Sequence, residues 1–518
     1  MANNGENNAQ LKFGIILSYV QLVLVVLVGL FYTPYAMSHL GTSEYGVYQT
    51  CKSAIEMLNF LTLGMNSGYI KFYTEYRKKD DEEAIHKLNG LYLTLFIILG
   101  SIALLLGICL TNNLNMVFEN GLTPSEIALA KSLMYIISIN LFITFINLVF
   151  TSIISAHEKY IFLRLFTAIQ TLASPFISVL LLNFGYRSKA MACTVLTINI
   201  CLMVVYFIYV TKVLKQKFIF KNYEKGLLKS IFVFTSFLFV NILVDSVNYQ
   251  SGKVIVAAFI GSEEAAIYSV GALLLNYYMN MSLGISEVFT PRIHKLVLST
   301  DDDKQKQRQA MTKFFTDIGR IQYMLLFLVL SGFVFFGKPF ISIWLKDSLN
   351  DTYSINTAYW ITVILFVGNI VDLIQNVGIE FQRSQNKHMY AAVIYAIAAV
   401  INVVVSIILV KRFGAIGAAL GTSITMIASK GIIMNIVYDK TININVAYFW
   451  KNILWLTLSV ILALIFGVCV MIFVDISSKV SLVVFGLVYV VIYLLSLWFI
   501  GMNSSEKELV LHFFKKNG

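Results

Sequence analysis

Charged and amide side chains recur at helical spacing within long apolar stretches of this sequence. Lys52, Glu56 and Asn59 follow one another at spacings that place all three on one face of a helix. In a membrane such a charge costs at least about 2.5 kcal/mol, so it normally faces a cavity or a partner. The stripe predicts a polar chamber that binds a charged ligand.

Three more stripes of this kind occur further along the chain. They consist of Asn241, Asp245 and Asn248, of Asn276, Asn280 and Glu287, and of Asn369, Asp372 and Asn376. Because the stripes fall in both halves of the chain, we expect them to line one central cavity. The alternative is structural: the amides join helices by hydrogen bonds, and Lys52 only pairs with Glu56.

The charges on and near these stripes suit two kinds of binding. Lysine can hold a pyrophosphate as a point charge, and arginine can hold it through a bidentate fork. A carboxylate at depth suits a proton or a sodium ion, so we assign ion coupling to Asp245, Glu287 and Asp372. The predicted substrate cavity comprises Lys52, Glu56, Asn59, Asn241, Asn248, Lys253, Asn276, Asn280, Arg292, Asn369, Asn376 and Lys430. For Lys253 and Arg292, which lie near predicted span ends, snorkelling to the membrane interface is an equally good explanation.

The sequence has no pattern typical of catalysis, metal binding or a cofactor. The six histidines lie at loops or span edges without an HExxH motif. The five cysteines lie in or beside apolar runs without a CxxC pair. Neither a Walker phosphate loop nor a GxGxxG motif occurs. We therefore predict no catalytic residue, no metal and no cofactor.

Lipid must surround most of the chain. Of its 518 residues, 58% are hydrophobic and 13% are charged, whereas soluble proteins are about a quarter charged. A membrane-spanning helix needs about 20 predominantly apolar residues. Such runs cover residues 14–32, 46–70, 88–110, 132–155, 161–183, 191–211, 228–248, 265–290, 321–337, 357–380, 389–410, 416–438, 450–474 and 480–501. We predict an all-α polytopic membrane protein with about 14 transmembrane helices.

The basic residues orient these helices. The formal net charge is +11, and the segments predicted inside carry roughly three times as many lysines and arginines as those outside. The positive-inside rule explains this excess, so we expect no nucleic-acid partner. Both termini are predicted to be cytoplasmic, and the largest basic loops, 71–87, 212–229 and 292–320, to lie beside the anionic leaflet.

The sequence contains an internal repeat. A shift of 220 positions aligns Leu40-Gly41-Thr42-Ser43-Glu44 with Ile260-Gly261-Ser262-Glu263-Glu264, and Leu63-Gly64 with Leu283-Gly284. A shift of 229 aligns Asn140 with Asn369, Asn147 with Asn376, and Phe184-Gly185 with Phe413-Gly414. We predict two parallel six-helix bundles around a central cavity, residues 1–220 and 221–440, followed by two further helices and a cytoplasmic tail in 441–518.

Three segments are similar to those of a known family. They are Leu40-Gly41-Thr42-Ser43-Glu44-Tyr45-Gly46-Val47-Tyr48, Leu63-Gly64-Met65, and Phe413-Gly414-Ala415-Ile416-Gly417-Ala418-Ala419. With the six-plus-six-plus-two arrangement of spans, they make the whole chain resemble the Wzx-type polysaccharide transporters. That family belongs to the multidrug/oligosaccharidyl-lipid/polysaccharide (MOP) exporter superfamily, so the resemblance implies a MATE-like fold.

The resemblance also implies a function, that of a lipid-linked oligosaccharide flippase. Such a protein moves undecaprenyl-pyrophosphate-linked oligosaccharides, the precursors of O-antigen, capsule or exopolysaccharide, across the bacterial inner membrane by ion-coupled alternating access. The implied partners are the lipid-linked oligosaccharide, membrane lipids and a coupling proton or sodium ion. We expect a monomer, and association with glycan polymerase machinery is compatible with this role.

Two other functions stay open from the sequence. A multidrug or cation exporter of the same superfamily would use the stripe carboxylates to neutralise its substrate, although twelve spans are usual there. A membrane glycan polymerase or transferase needs a large outward loop for catalytic residues. The longest predicted outward segments, 111–131 and 338–356, are short. We therefore favour a transporter and predict that the chain is not an enzyme.

Overall fold

The computed structural model describes residues 2–221, 223–224, 226–299, 304–349, 351–385, 387, 389–508 and 511. Side chains are described from residue 20 onward, except at 237, 287, 288, 290, 291, 294, 295, 298, 299 and 304. Every regular element in these ranges is helical, which confirms the predicted all-α class.

The α-helices are numbered in chain order. They are α1 (Ala2–Leu40), α2 (Thr42–Glu56), α3 (Met65–Arg77), α4 (Glu82–Asn112), α5 (Leu114–Phe118), α6 (Pro124–Ala156), α7 (Tyr160–Asn183), α8 (Ser188–Ile208), α9 (Leu227–Phe259), α10 (Ser262–Ser299), α11 (Lys304–Trp344), α12 (Thr352–Gln375), α13 (Val377–Ser384), α14 (Met389–Phe413), α15 (Ala415–Met426), α16 (Met434–Thr441), α17 (Val446–Ser459), α18 (Ile461–Phe473) and α19 (Lys479–Ser496). A 3-10 helix, Met57–Thr62, follows α2, and π-helical turns at Tyr209–Val213, Ile427–Ile433 and Leu497–Gly501 follow α8, α15 and α19.

Several helices begin where the local sequence offers a cap. Thr123, Pro124 and Glu126 open α6 with a capping box, in which Thr123 Oγ1 accepts a hydrogen bond from the Glu126 amide. Asp351 caps α12 by accepting a hydrogen bond of 2.8 Å from the Ser354 amide. Hydrogen bonds from Ser354 lower the pKa of the Asp351 carboxyl, because they stabilise its ionised form.

The number of membrane spans differs from the predicted fourteen. In the described part of the chain, 10 helices are long and apolar enough to cross a membrane, and two bent pairs raise the number to 12. The bent pairs are Leu227–Ser236 with Leu238–Phe259, and Val446–Ser459 with Ile461–Phe473. The predicted spans 46–70 and 265–290 are absent from this set. Fourteen spans are therefore not confirmed, whereas a multi-pass helical membrane fold is.

The predicted span 46–70 is divided by a break between the 3-10 helix and α3. Leu63 and Gly64 both adopt left-handed backbone, with φ of 53° and 65°. A β-carbon on Gly64 would collide with the Leu238 side chain of α9, so both backbone and packing require glycine there. An apolar window cannot reveal this break, because leucine is not a residue type that marks left-handed conformation.

Two helices continue well beyond the predicted apolar segments. α10 runs to Ser299 and α11 begins at Lys304, so most of the predicted basic loop 292–320 is helical. The other predicted span outside the set, 265–290, lies within α10, where several side chains fall outside the described part of the chain. A helix can carry charged residues where it extends beyond the lipid. Hydropathy alone therefore underestimates the length of these two helices.

The helices group into two compact units, of which unit 1 comprises residues 1–269 and 402–418. Helix α6 is central and packs against α2, α3, α4 and α8, while α9 packs against α2, α3 and the 3-10 helix. Buried aromatic rings fill the interior, for example Tyr69 edge-on to Tyr92 at 5.1 Å and Phe96 edge-on to Phe145 at 6.2 Å. Lipid tails are as apolar as these side chains, so close packing and dispersion hold the unit together rather than the hydrophobic effect.

Unit 2 comprises residues 270–401 and 419–518. Helix α11 is its centre and packs against α12, α17, α18 and α19. From α19, the Tyr489 hydroxyl bonds to Ser331 Oγ at 2.7 Å, and the Tyr493 hydroxyl donates to the Met324 carbonyl at 2.9 Å. The last predicted span is thus tied to α11 by buried hydrogen bonds.

The predicted repeat has a counterpart in the backbone. Gly41 and Gly261 both have positive φ, 80° and 143°, and so do Gly185 and Gly414, 83° and 60°. The division into 1–220, 221–440 and 441–518 stays a prediction, because the compact units separate within α10 instead. The repeat is also imperfect: Leu283-Gly284, the counterpart of the broken Leu63-Gly64, lies inside an uninterrupted helix.

Candidate functional site

Unit 1 contains a cavity of about 150 Å³ among α2, α6 and α8. The first predicted stripe lies on it: Lys52 and Glu56 reach it from α2, and Asn59 from the 3-10 helix. The other lining residues are Tyr48, Ile55, Ile137, Asn140, Leu141, Thr144, Ala192 and Val195. A water occupies about 30 Å³ in the liquid, so this space takes several waters or one polar group of a ligand.

Lys52 and Glu56 form the charged centre of this cavity. Lys52 Nζ lies 3.8 Å from Glu56 Oε1, and the two side chains are 47% and 35% exposed. Gln250 of α9 donates a 3.4 Å hydrogen bond to Glu56 Oε2, and Lys253 interacts electrostatically with both Glu56 and Lys52. Two lysines beside one glutamate give the group a net positive charge. An exposed pair at this distance is weak, so the Lys52 ammonium can exchange glutamate for an anionic ligand.

An amide network holds one wall of the cavity. Asn199 Nδ2 donates to Asn140 Oδ1 at 2.7 Å, and Gln170 Nε2 donates to Asn199 Oδ1 at 2.8 Å. Asn147 Nδ2 donates to the Asn199 carbonyl at 3.0 Å. Asn140 Oδ1 already accepts a bond, and its N–H groups are available to donate to a ligand. Beside the Lys52 ammonium, these donors suit a ligand rich in hydrogen-bond acceptors.

The stripe on α9 does not join the lining of this cavity. Asn241 is half-buried and Asp245 is exposed. Asn248 is buried and accepts a 2.8 Å hydrogen bond from Asn402 Nδ2 of α14. Asn402 Oδ1 in turn accepts a hydrogen bond from Ser406 Oγ. For Asn248 the structure therefore agrees with the alternative weighed above, an amide that joins two helices.

The stripe on α10 falls largely in unit 2. Asn276 is exposed and bonds to the Ala272 carbonyl of its own helix at 3.4 Å, and Asn280 is half-buried. Arg292 is exposed within the helix rather than at its end. The Glu287 side chain lies outside the described part of the chain, so its predicted coupling role has no structural counterpart here.

Asn376 belongs to a buried polar hub in unit 2. Its Oδ1 accepts hydrogen bonds from Ser286 Oγ at 2.7 Å and from Gln322 Nε2 at 3.2 Å, and its Nδ2 donates to Ser282 Oγ at 3.2 Å. Asn369 is fully buried and donates to the Leu365 carbonyl of its own helix. In the described structure Asn376 joins packed helices, whereas Asn369 is buried and bonds within its own helix; neither residue lines the cavity of unit 1.

Asp372 and Lys430 form a buried ion pair in unit 2. Lys430 Nζ lies 2.8 Å from Asp372 Oδ2, the side chains are 7% and 13% exposed, and the ammonium lies 4.8 Å from the Tyr395 ring centroid. Lys430 stands in the π-helical turn Ile427–Ile433, a feature that often marks functional positions. We predicted separate roles for these two residues, Lys430 in the substrate cavity and Asp372 in ion coupling. The structure pairs them, because α12 and this turn pack together.

Several polar residues near the cavity escaped the sequence analysis. Asn140, Thr144 and Asn147 recur on one face of α6, the same signal that marked α2, but they carry no charge. The two asparagines were used only to define the repeat, and Thr144 was not considered. Gln170, Asn199 and Gln250 are isolated amides whose importance depends on neighbours from other helices. Among the described residues, no group of three or more His, Cys, Asp or Glu is placed to hold a metal ion.

Comparison with known proteins gives consistent matches. A family model described as "Polysaccharide biosynthesis protein" matches residues 39–353. The "Putative O-antigen transporter" of Shigella flexneri is 21% identical over 389 residues, which is 75% of this chain and 88% of that protein.

Solved structures share the fold. The lipid II flippase MurJ in an inward closed conformation has a TM-score of 0.67 and 16% identity, over 93% of this chain and 97% of MurJ. An inward-facing multidrug resistance MATE family transporter of the MOP superfamily has a TM-score of 0.62 and 12% identity, over 84% of this chain and 99% of the transporter. At such identities the likeness establishes the fold alone.

Proposed function

The chain belongs to the polysaccharide biosynthesis protein family, as a multi-pass transporter of the MOP superfamily and not an enzyme, and from this premise we propose its cargo and mechanism. The predicted resemblance to Wzx-type transporters is confirmed by the family match. The cargo we propose is an undecaprenyl-pyrophosphate-linked oligosaccharide. The chain would carry it across the bacterial inner membrane by alternating access, with both termini cytoplasmic.

The observation that carries this proposal is the cavity of unit 1, in which the Lys52 ammonium lies among polar side chains, with Lys253 close to the Lys52–Glu56 pair but outside the lining. Lys52 lines it, and Lys253 adds a second positive charge to the Lys52–Glu56 group. A pyrophosphate brings negative charge and acceptor oxygens, which ammonium groups and the Asn140 amide can bind. A cationic drug would be repelled by two lysines, so the charge favours a glycolipid over the drug-exporter alternative.

Hydroxyl and amide groups around the lysine suit the sugar next to the pyrophosphate. Tyr48, Asn59 and Thr144 line the cavity together with apolar side chains such as Ile137. Sugars present hydroxyl edges and weakly polar faces, so a mixed lining of this kind binds them without a dedicated cofactor. A cavity of about 150 Å³ holds only part of an oligosaccharide, so the remainder must occupy space that opens in other conformations.

We place ion coupling at the Asp372–Lys430 pair. When a proton or a sodium ion binds a buried carboxylate, it competes with the lysine that is paired with this carboxylate. The ion pair between carboxylate and lysine is then strongly weakened. Asp245 and Glu287 stay in the proposal as further coupling carboxylates. The Tyr395 ring already contacts the Lys430 ammonium at 4.8 Å and would still stabilise its charge after release from Asp372.

Replacing Asp372 by asparagine is expected to lower the free energy of unfolding by about 3 kcal/mol, because Lys430 would remain buried without its counter-charge. Exchanging both residues, Asp372→Lys with Lys430→Asp, should restore the melting temperature in detergent but leave export below about a tenth of wild type. The control is Glu380→Gln, which breaks the exposed Glu380–Arg383 pair and should change neither quantity measurably. Full export by the exchanged variant would contradict the coupling role.

The cargo itself is tested by deleting the gene in its own bacterium. We expect loss of the surface glycan and accumulation of lipid-linked oligosaccharide on the inner leaflet, measured by mass spectrometry of extracted lipids. A plasmid copy of the wild-type gene should reverse both effects. Retention of the surface glycan with no accumulated lipid-linked sugar would contradict the proposed cargo.

A further inference from the structure

Four helices of unit 1 begin at one common end, and a single carboxylate connects three of them. Glu126, in the first turn of α6, accepts a hydrogen bond of 2.5 Å from Ser43 Oγ in the first turn of α2. The same oxygen, Oε1, accepts a short hydrogen bond from Ser262 Oγ at the start of α10, and the two serine hydroxyls lie 3.3 Å apart. We call Ser43, Glu126 and Ser262 the serine–glutamate latch.

Glu126 is held in place independently of the two serines. Its other oxygen, Oε2, accepts hydrogen bonds of 2.8 Å from both the amide and the hydroxyl of Thr123, as part of the capping box of α6. The local sequence of α6 therefore fixes the carboxylate, and Oε1 is the atom that reaches the other helices. Breaking the latch would leave α6 capped and intact.

Glycine brings the backbones together at the latch. A β-carbon on Gly46 of α2 would overlap the carbonyl oxygen of Ser262, and one on Gly121 would overlap that of Ala257, near the end of α9. No side chain fits in either contact, so α2 touches the backbone at the start of α10, and the segment before α6 touches the backbone near the end of α9. This end of unit 1 is therefore closely packed in the present conformation.

A neighbouring contact at the same end links α2 to α8. Glu44 Oε1 accepts hydrogen bonds from the amide and hydroxyl of Ser188 at 3.0 and 2.6 Å, and its Oε2 accepts one of 2.6 Å from Arg187 Nε. Both of these helices line the cavity. The latch differs because it reaches α10, which continues from residue 270 into unit 2.

The latch lies just beyond the cavity. Along α2, Ser43 precedes the lining residue Tyr48 by five residues, which is about 8 Å of helix. Along α8, Ser188 precedes the lining residue Ala192 by about 6 Å. Releasing α10 from α2 and α6 would therefore open the cavity toward this end.

We propose that the serine–glutamate latch is the gate that closes this end of the cavity and that it opens once in each transport cycle. Its bonds are hydroxyl-to-carboxylate bonds in a partly buried site, so water can replace them when the helices separate. With the orientation predicted from the basic residues, this end would lie on the outer side of the membrane. The inference rests on transport by alternating access, but the latch can be tested without knowing the cargo.

Thiol labelling measures the opening directly. In a variant whose five native cysteines are replaced by serine, Val195→Cys places a reporter in the cavity wall. Adding Glu126→Gln should raise the rate at which a membrane-impermeant maleimide labels the reporter in intact spheroplasts by about tenfold. In inside-out vesicles the rate should not rise. Glu83→Gln, on the exposed Glu83–Lys87 pair of α4, is the control and should have no effect.

A disulfide across the latch should hold the gate closed, which gives a second test. Ser43→Cys with Ser262→Cys should form a disulfide on oxidation, abolish reporter labelling from outside, and stop export until a reductant is added. The control pair is Asn66→Cys with Ser152→Cys, whose native side chains are 2.6 Å apart within the first bundle and should remain together throughout transport.

Reporter labelling and glycan export together test the gate independently of the proposed cargo. Unchanged labelling in Glu126→Gln, or full export by the cross-linked protein, would overturn the gate. Equal labelling increases from both sides of the membrane would also overturn it, because they would indicate general loosening of the fold. If labelling follows the expectation while no lipid-linked sugar is exported, the gate stands and the proposed cargo is wrong.

Discussion

Replacing Lys52 by alanine is expected to reduce the rate of glycan export about thirtyfold while leaving the amount of folded protein unchanged. Lys52 lines the cavity, and the loss of one charge-assisted hydrogen bond to an anion costs about 2 kcal/mol. That cost corresponds to about thirtyfold in rate. The rate is measured as translocation of lipid-linked oligosaccharide in proteoliposomes, with the protein level determined in the same membranes.

The matched control is Lys87→Ala. Lys87 pairs with Glu83 at 2.7 Å with the same i, i+4 spacing as Lys52 and Glu56, but it lies outside the cavity lining. We expect less than a twofold change, since exposed pairs contribute at most about 1 kcal/mol.

A double variant separates ligand binding from simple pairing. If Lys52 only neutralises Glu56, then Lys52→Ala combined with Glu56→Ala removes both charges and should restore export. If Lys52 binds the cargo, the double variant should stay as slow as the single one. Restoration would contradict the anion-binding role and support the structural alternative.

Replacing Arg320 by alanine is expected to lower the free energy of unfolding of unit 2 by about 3 to 5 kcal/mol. The Arg320 guanidinium binds the Glu506 carboxylate at 2.7 and 2.9 Å and also donates to the Gly501 carbonyl at 2.8 Å. Both side chains are almost fully buried, 4% and 6% exposed, so removal of the arginine leaves Glu506 uncompensated. The loss should appear as a large fall in melting temperature in detergent and as lower levels in the membrane.

Two further variants check the cause of this loss. Arg308→Ala breaks the exposed Arg308–Asp439 pair and should cost less than about 1 kcal/mol. Arg320→Met with Glu506→Leu removes both buried charges and should recover much of the stability, because a well-packed apolar pair can replace a buried ion pair. A single Arg320→Ala variant as stable as wild type would show that the pair does not anchor the C-terminal segment to α11.

The pair also illustrates what sequence cannot show. Arg320 and Glu506 lie far apart in the chain, each beside other charged residues, so nothing in either local sequence identifies the partner. Arg320 was assigned to a basic loop that orients the helices. The structure places it inside a helix and buries it, because α11 extends from Lys304 to Trp344.

The motif from Leu40 to Tyr48 shows the opposite case. Sequence alone marked it as part of the repeat and as the basis of the family resemblance, which the family match confirms. The tertiary structure supplies physical reasons for its residues: Ser43 binds Glu126, Glu44 binds Ser188, and Gly46 admits the backbone of α10. Each of these contacts is made with a helix that begins about 80 residues or more further along the chain.

The spacing of the polar residues predicts which face of a helix they share, but their surroundings were not predictable. The stripe Lys52–Asn59 lies on a cavity, the stripe containing Asn376 lies in a packed hub, and Asn248 joins α9 to α14. Spacing fixes which face of a helix a residue occupies. It cannot tell whether that face meets water, a ligand or another helix, because this depends on which helices pack there.

Sequence by itself thus determined the properties that follow from composition and local order: an all-α membrane protein and its family. The hydrophobicity of a segment decides whether lipid or water surrounds it, and the 3.6-residue periodicity decides which residues share a face of a helix. Both properties can therefore be read from the local sequence. The tertiary structure alone decided the broken second span, the Asp372–Lys430 and Arg320–Glu506 pairs, and the convergence of three helix starts on Glu126. These features arise from residues distant in sequence that meet only when helices pack, and packing energies depend on shape and distance rather than on local order.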